Sequence, residues 1–118
     1  MTPQELIDTL ISQHRLLQKY LTSELNLELF KITLDEHLKL EDEQFYPRYM
    51  ELKKKRGEDL TPTLEFINQM KEIGEKVRYF LENYSEKDTE ELSKVVDTLN
   101  LRIETEEEGV YGVFLAMN

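Results

Sequence analysis

Apolar residues recur along this chain with the 3.6-residue period of an amphipathic helix, and no segment alternates with the period of two that marks a half-buried strand. The first stripe runs Leu6, Leu10, Ile11, His14, Leu17 and Leu21. It follows Thr2-Pro3-Gln4-Glu5, which combines an N-cap threonine, a proline in the first turn and a glutamate closing a capping box. The second stripe, behind a capping Asn26, runs Leu27, Phe30, Leu34, His37, Leu38, Glu41 and Phe45. Pro47 has no amide hydrogen, so helix two is expected to kink or restart there. Thr61-Pro62 repeats the cap-plus-proline start for helix three, with Ile67, Met70, Ile73, Gly74, Val77 and Leu81 inward. A turn over Tyr84 to Lys87 and a capping box at Asp88-Thr89-Glu90-Glu91 lead into helix four, whose stripe is Leu92, Val95, Val96, Leu99, Ile103, Glu106 and Val110. Four such helices with short connections predict an all-α, up-down-up-down antiparallel four-helix bundle, with residues 1–118 as one domain.

The stripes are interrupted by polar residues at positions that should be apolar. His14 lies on the first stripe, while His37 and Glu41 lie on the second, four apart and so on one face. These are the only two histidines in the chain. With the first hairpin turning near Leu25 and Asn26, His14 and His37 stand at matching distances from it, and equal rise per residue brings both rings to one level. Helices two and four also align without gaps. Glu41 falls on Glu106, Phe45 on Val110 and Tyr46 on Tyr111, while His14 to Leu21 in helix one falls on Gly74 to Leu81 in helix three. The halves read as a degenerate internal repeat, with pseudo-twofold symmetry that sets Glu41 and Glu106 facing each other.

Two imidazoles and two carboxylates at one level form a donor set suited to iron, manganese or zinc rather than calcium. The competing reading is a hydrogen-bonded polar core that includes Arg102, since a buried carboxylate without a partner costs several kcal/mol. Tyr46, Tyr111, Phe45 and Phe80 read as core aromatics. The apolar run Tyr111 to Met117 reads as packing on the same core.

Composition narrows the field. The absence of cysteine excludes disulfides, thiolate metal sites and a cysteine nucleophile. A formal net charge of −10 argues against nucleic acid, which needs clustered cations. The one basic run, Lys53 to Arg56, suits a helix C-terminus. No apolar stretch reaches the ~18 residues of a membrane span, and no signal peptide is evident, so a cytoplasmic protein is expected. Hydrolytic and nucleotide motifs are lacking.

His14, followed by His37-Leu38-Lys39-Leu40-Glu41 running into Phe45-Tyr46-Pro47, resembles the hemerythrin or HHE cation-binding family across nearly the whole chain. The resemblance implies a four-helix bundle with a non-heme iron centre. It further implies His14 and His37 as terminal ligands, and Glu41 and Glu106 as carboxylates between metals, with Glu107 as the alternative to Glu106. The chain departs from the family where histidines are due on helices three and four, since Gly74 and Arg102 stand there. Three states of the centre follow. It holds one metal through His14, His37, Glu41 and Glu106; or two, with Glu104, Glu107, Tyr111 or water standing in for imidazoles; or none, with Arg102 neutralising the carboxylates.

Three functions correspond. One is a non-heme iron-binding protein that binds or senses dioxygen or nitric oxide or handles iron. The second is a metal-free interaction module, for which the acidic Glu104 to Glu108 run is a candidate docking face. The third is an iron-dependent redox or iron-repair enzyme.

Overall fold

A computed structural model describes residues 1–83 and 89–118, all side chains but that of Thr89 included, and among these the chain is helical outside short connections, with no strand. The elements are α1 (Pro3–Leu21), α2 (Leu27–Leu40), a π-helical turn (Glu41–Phe45), α3 (Tyr46–Lys55), α4 (Thr61–Glu82), α5 (Thr89–Thr105), a second π-helical turn (Glu106–Val110) and α6 (Tyr111–Met117). Each π-turn carries one helix into the next without a break, so the six α-helices make four rods. α1 packs on α2, α5 and α6; α4 packs on α2 and α5; α3 packs on α6.

The helix starts follow from local chemistry. Thr2 Oγ1 accepts a hydrogen bond from the Glu5 amide, and Asn26 Oδ1 accepts one from the Leu29 amide, which satisfies amides that have no partner within the helix. The expectation at Thr61 is corrected. Helix α4 begins with Thr61 inside its first turn and Leu60 at the N-cap without a side-chain bond, and the Thr61 amide donates instead to Asp59 Oδ1. An aspartate two residues ahead thus does the work assigned to the threonine. The expected turn at Tyr84 to Lys87 and the Asp88-Thr89 part of the next capping box lie outside what is described.

Two apolar clusters form the core. One joins Leu6, Leu10, Phe45, Tyr49, Met70 and Phe114 among others, and the second joins Leu17, Leu21, Phe30, Leu34, Val77, Leu99 and Ile103. On every rod a non-apolar position separates the two. His14 stands between Leu10 and Leu17, His37 and Glu41 between Leu34 and Phe45, Gly74 between Met70 and Val77, and Glu106 between Ile103 and Tyr111. The bundle therefore has a polar layer closed off on both sides by hydrocarbon. The terminal segment packs on its own core, with Tyr111 and Phe114 buried.

The internal repeat is visible in the backbone. The two π-turns occupy aligned positions, with the Tyr46 amide donating to the Glu41 carbonyl and the Tyr111 amide to that of Glu106. Pro47 does not end the helix, which runs on to Lys55, and the second π-turn forms with Gly112 in the aligned position. Proline is thus not what produces the irregularity.

Phe45, fully buried, packs its ring against Tyr46, Tyr49, Tyr111 and Phe114. Truncation to alanine leaves a cavity that this aromatic cluster cannot close, and Phe45→Ala should lower unfolding free energy by ~3–5 kcal/mol in urea titration. Tyr79→Ala, at a side chain 70% exposed, should stay within ~0.5 kcal/mol of the parent. Equal losses in the two variants would contradict this placement of the core.

Candidate metal centre

Helices α1 and α2 lie side by side, and the short connection between them brings His14 and His37 into contact, with Nε2 to Nε2 at 3.1 Å. Glu41, one turn after His37, brings Oε1 to 2.9 Å from His37 Nε2. Glu106 completes the group from the other half of the chain, and one donor atom from each of the four residues lies within 4.8 Å of all the others. None of the four is more than 1% exposed. Glu107, the alternative to Glu106, is not among them. It sits on the rim, where Oε2 accepts from His14 Nδ1 at 2.8 Å and Oε1 pairs with Arg15. A shift of one residue along a helix rotates the side chain by ~100°, which separates a carboxylate inside the layer from one behind the ring.

The outer partners set the tautomers, Glu107 that of His14 and the present orientation of the Gln13 amide that of His37. Glu107 is an acceptor, so His14 carries its proton on Nδ1. His37 Nδ1 likewise faces Gln13 Oε1 at 2.8 Å. Both Nε2 lone pairs are thereby turned inward and toward each other. Lone pairs at 3.1 Å repel unless a cation stands between them, and two nitrogens at ~2.0–2.1 Å from a shared metal at an angle near 100° have about that separation. Trans ligands at such bond lengths reach only ~4.2 Å, so a pair at the full 4.8 Å must close by ~0.6 Å on loading. The donor set fits one borderline metal ion.

The carboxylates are divided between two tasks. Arg102 Nε donates to Glu106 Oε1 at 2.8 Å, and Nη2 donates to Glu41 Oε2 at 2.5 Å. Each glutamate thus gives one oxygen to the guanidinium and turns the other toward the histidines and the Tyr111 hydroxyl. Tyr46 donates to Glu41 Oε2 at 3.1 Å. The Tyr111 hydroxyl lies 2.8 Å from Glu106 Oε2, 3.3 Å from Glu41 Oε1 and 3.4 Å from His14 Nε2. Its oxygen therefore stands against three of the four candidate ligands. Both tyrosines follow their glutamates by five residues, and the π-turns make this work: i to i+5 bonding brings such residues onto one face, whereas in an α-helix they diverge by ~140°.

The sequence paired Arg102 with a glutamate in outline and offered Tyr111 as a stand-in for an imidazole, but gave no role to Gln13 and placed Tyr46 only as core. A polar residue flanking each inward histidine was the available signal for Gln13. No buried side-chain nitrogen or oxygen among the described residues lacks a partner. Comparison with family models, curated proteins and solved structures returns no match.

Burial, reinforced by the charge of His37, lowers the His14 pKa to about 4, although Glu106 and Glu107 oppose the shift. Burial likewise lowers His37 to about 4, with Glu106 opposing and Arg102 adding to the shift. Burial and the neighbouring Glu41 charge raise Glu106 to about 7 despite Arg102. Burial alone would lower Arg102, but Glu41 and Glu106 outweigh it and raise its pKa, so the guanidinium keeps its charge.

These shifts set a pH profile for the metal-free protein. Between their folded value of about 4 and the unfolded 6.5, the two histidines bind protons only when unfolded, which costs stability as pH falls. Between 4.5 and about 7, Glu106 binds a proton only when folded, which adds stability that is lost as pH rises. From pH 4.5 to 6.5 the unfolded state therefore binds about one more proton over these three groups, and stability rises by ~1.4 kcal/mol per pH unit. The gain tapers off above pH ~6, where the unfolded histidines lose their protons, and reverses weakly above about 7 as Glu106 gives up its own. Chelator-treated protein should show greatest stability near pH ~7 in urea titrations, and a maximum at or below pH ~5.5 would refute this balance. Arg102→Leu, which leaves two buried carboxylates without their cation, should cost ~3–5 kcal/mol at pH 8 and less at pH 5.5, where Glu106 is protonated.

Proposed function

We propose that this chain is a hemerythrin-like protein that binds one non-heme metal ion through His14, His37, Glu41 and Glu106, with a small ligand such as dioxygen or nitric oxide as its partner. The carrying observation is the pair of inward Nε2 atoms at 3.1 Å, each with its other ring nitrogen bonded outward. The up-down-up-down order of the four rods and a bend near Pro47 belong to the same reading, as do iron as the metal and a cytoplasmic setting. Manganese and zinc suit the donor set as well. Iron would supply reversible binding of a diatomic ligand at an open coordination position, while the chain's own residues set the site. Glu107 and Gln13 orient the rings, Arg102 holds one oxygen of each carboxylate away from the metal, and the apolar clusters exclude bulk water. Arg102 also occupies the side of the layer where a second metal would need ligands, which supports a mononuclear site over a dinuclear one.

A second reading, a metal-free bundle, draws support from the same Arg102 bonds, which neutralise Glu41 and Glu106 without any ion. It needs a proton on one Nε2, and so a Gln13 amide turned the other way, with nitrogen toward His37.

Anaerobic titration with ferrous iron, followed by metal analysis, decides between them. Binding near one equivalent is expected, lost in His14→Ala and His37→Ala and weakened ~10–100-fold in Glu107→Ala. Melting should rise on loading and fall under a chelator, as ligand binding to the native state requires. Retention below a tenth of an equivalent, unchanged in the histidine variants, would leave the metal-free reading standing.

A further inference from the structure

The layer is closed by hydrocarbon above and below, yet it opens sideways at Gly74. A surface cavity of about 180 Å³ runs down beside this glycine to Glu41 and Arg102. The guanidinium, 3% exposed, spends Nε and Nη2 on Glu106 and Glu41. Its Nη1 makes no hydrogen bond among the described residues and faces the cavity, since a β-carbon on residue 74 would come within 3.2 Å of it. The one open donor of an almost fully buried side chain is therefore turned toward the cavity, and kept clear by the lack of a side chain on the facing helix.

We propose that this cavity binds a small monoanion of formate or nitrite size on Arg102 Nη1, beside the metal centre. The chemistry follows from the donor and the charges. A free guanidinium N–H in a partly desolvated cavity favours an acceptor with negative charge. At roughly 30 Å³ for each water-sized group, the volume limits the ligand to a handful of heavy atoms.

The lining carries Lys71, Arg78 and Arg102 against Glu41, Asp42 and Glu75, a balance of three and three. Arg78 is engaged with Asp35, whereas Lys71 has no ion pair among the described residues. Glu106, bonded to the same guanidinium, adds a carboxylate behind the lining; a metal ion in the adjacent centre would offset this acidic excess, so anion and metal should bind with positive coupling, each tightening the other by one factor. The coupling rests on the metal reading; the cavity and its donor do not.

The test uses the full chain, metal-free and zinc-loaded, with zinc content measured on every sample and formate binding followed by calorimetry. Formate should bind the parent protein, at least tenfold tighter when zinc is present. Gly74→Leu, which fills the cavity, should weaken binding tenfold or more with zinc retained. Lys71→Glu, at an exposed position that leaves the fold intact, should weaken it about fivefold, and it decides the matter if the leucine variant fails to fold. Formate binding that is absent from both forms, or equal in the parent and these variants, overturns the proposal. Failure to take up zinc overturns the metal reading separately, and the comparison of parent with variants in the metal-free protein then still judges the cavity.

Discussion

Two glutamates buried without water in a helical core would repel each other and drive the bundle apart, and the guanidinium of Arg102 is what prevents it. It reaches both carboxylates from a single side chain and is itself kept charged by them. Removing either member of such a set leaves an uncompensated buried charge, which costs more than the intact set returns. The polar layer is therefore stable only as a unit. Its geometry also orders everything around it: with one oxygen of each glutamate fixed on Arg102, the remaining oxygens and the two imidazoles are left converging on one region.

The internal repeat gains a physical meaning from this. The aligned positions of the two halves share the inward glutamate, the π-turn and the tyrosine five residues on. They differ where one half has two histidines and the other has glycine and arginine. The two differences complement each other in space. Gly74 provides room that a larger residue would deny, and Arg102 extends its guanidinium into contact range of that room. The half without imidazoles has a fixed cation and a cavity in their place, so the centre is asymmetric by construction.

Much of this was legible in the sequence because helical periodicity exposes its own violations. Leu6, Leu10, Leu17 and Leu21 define a face, and His14 on that face is an anomaly that any count reveals; His37, Glu41 and Glu106 follow by the same logic. What escaped were features that periodicity cannot carry. The π-turns shift the register by one residue, so a strict 3.6-residue count places Tyr46 and Tyr111 away from their glutamates and misses the bonds between them. Gln13 lies beside the stripe rather than on it, and its role appears only when two helices meet. The start of α4 was misassigned because threonine before proline is a frequent cap, while the aspartate that bonds the Thr61 amide sits one position outside the usual pattern.

Burial and wiring together decide what kind of centre this layer makes. The lone pairs of His14 and His37 face inward because acceptors outside the ring plane of the layer, Glu107 and Gln13, take the protons of the opposite nitrogens. Reversing a single amide would turn the same residues into a closed hydrogen-bond network with no use for a metal. The carboxylate on His14 has no such freedom, since its two oxygens accept from His14 Nδ1 and from Arg15. One of the two rings is thus committed to presenting a bare nitrogen to the core, and the function of the layer depends on what cation, proton or metal meets it there.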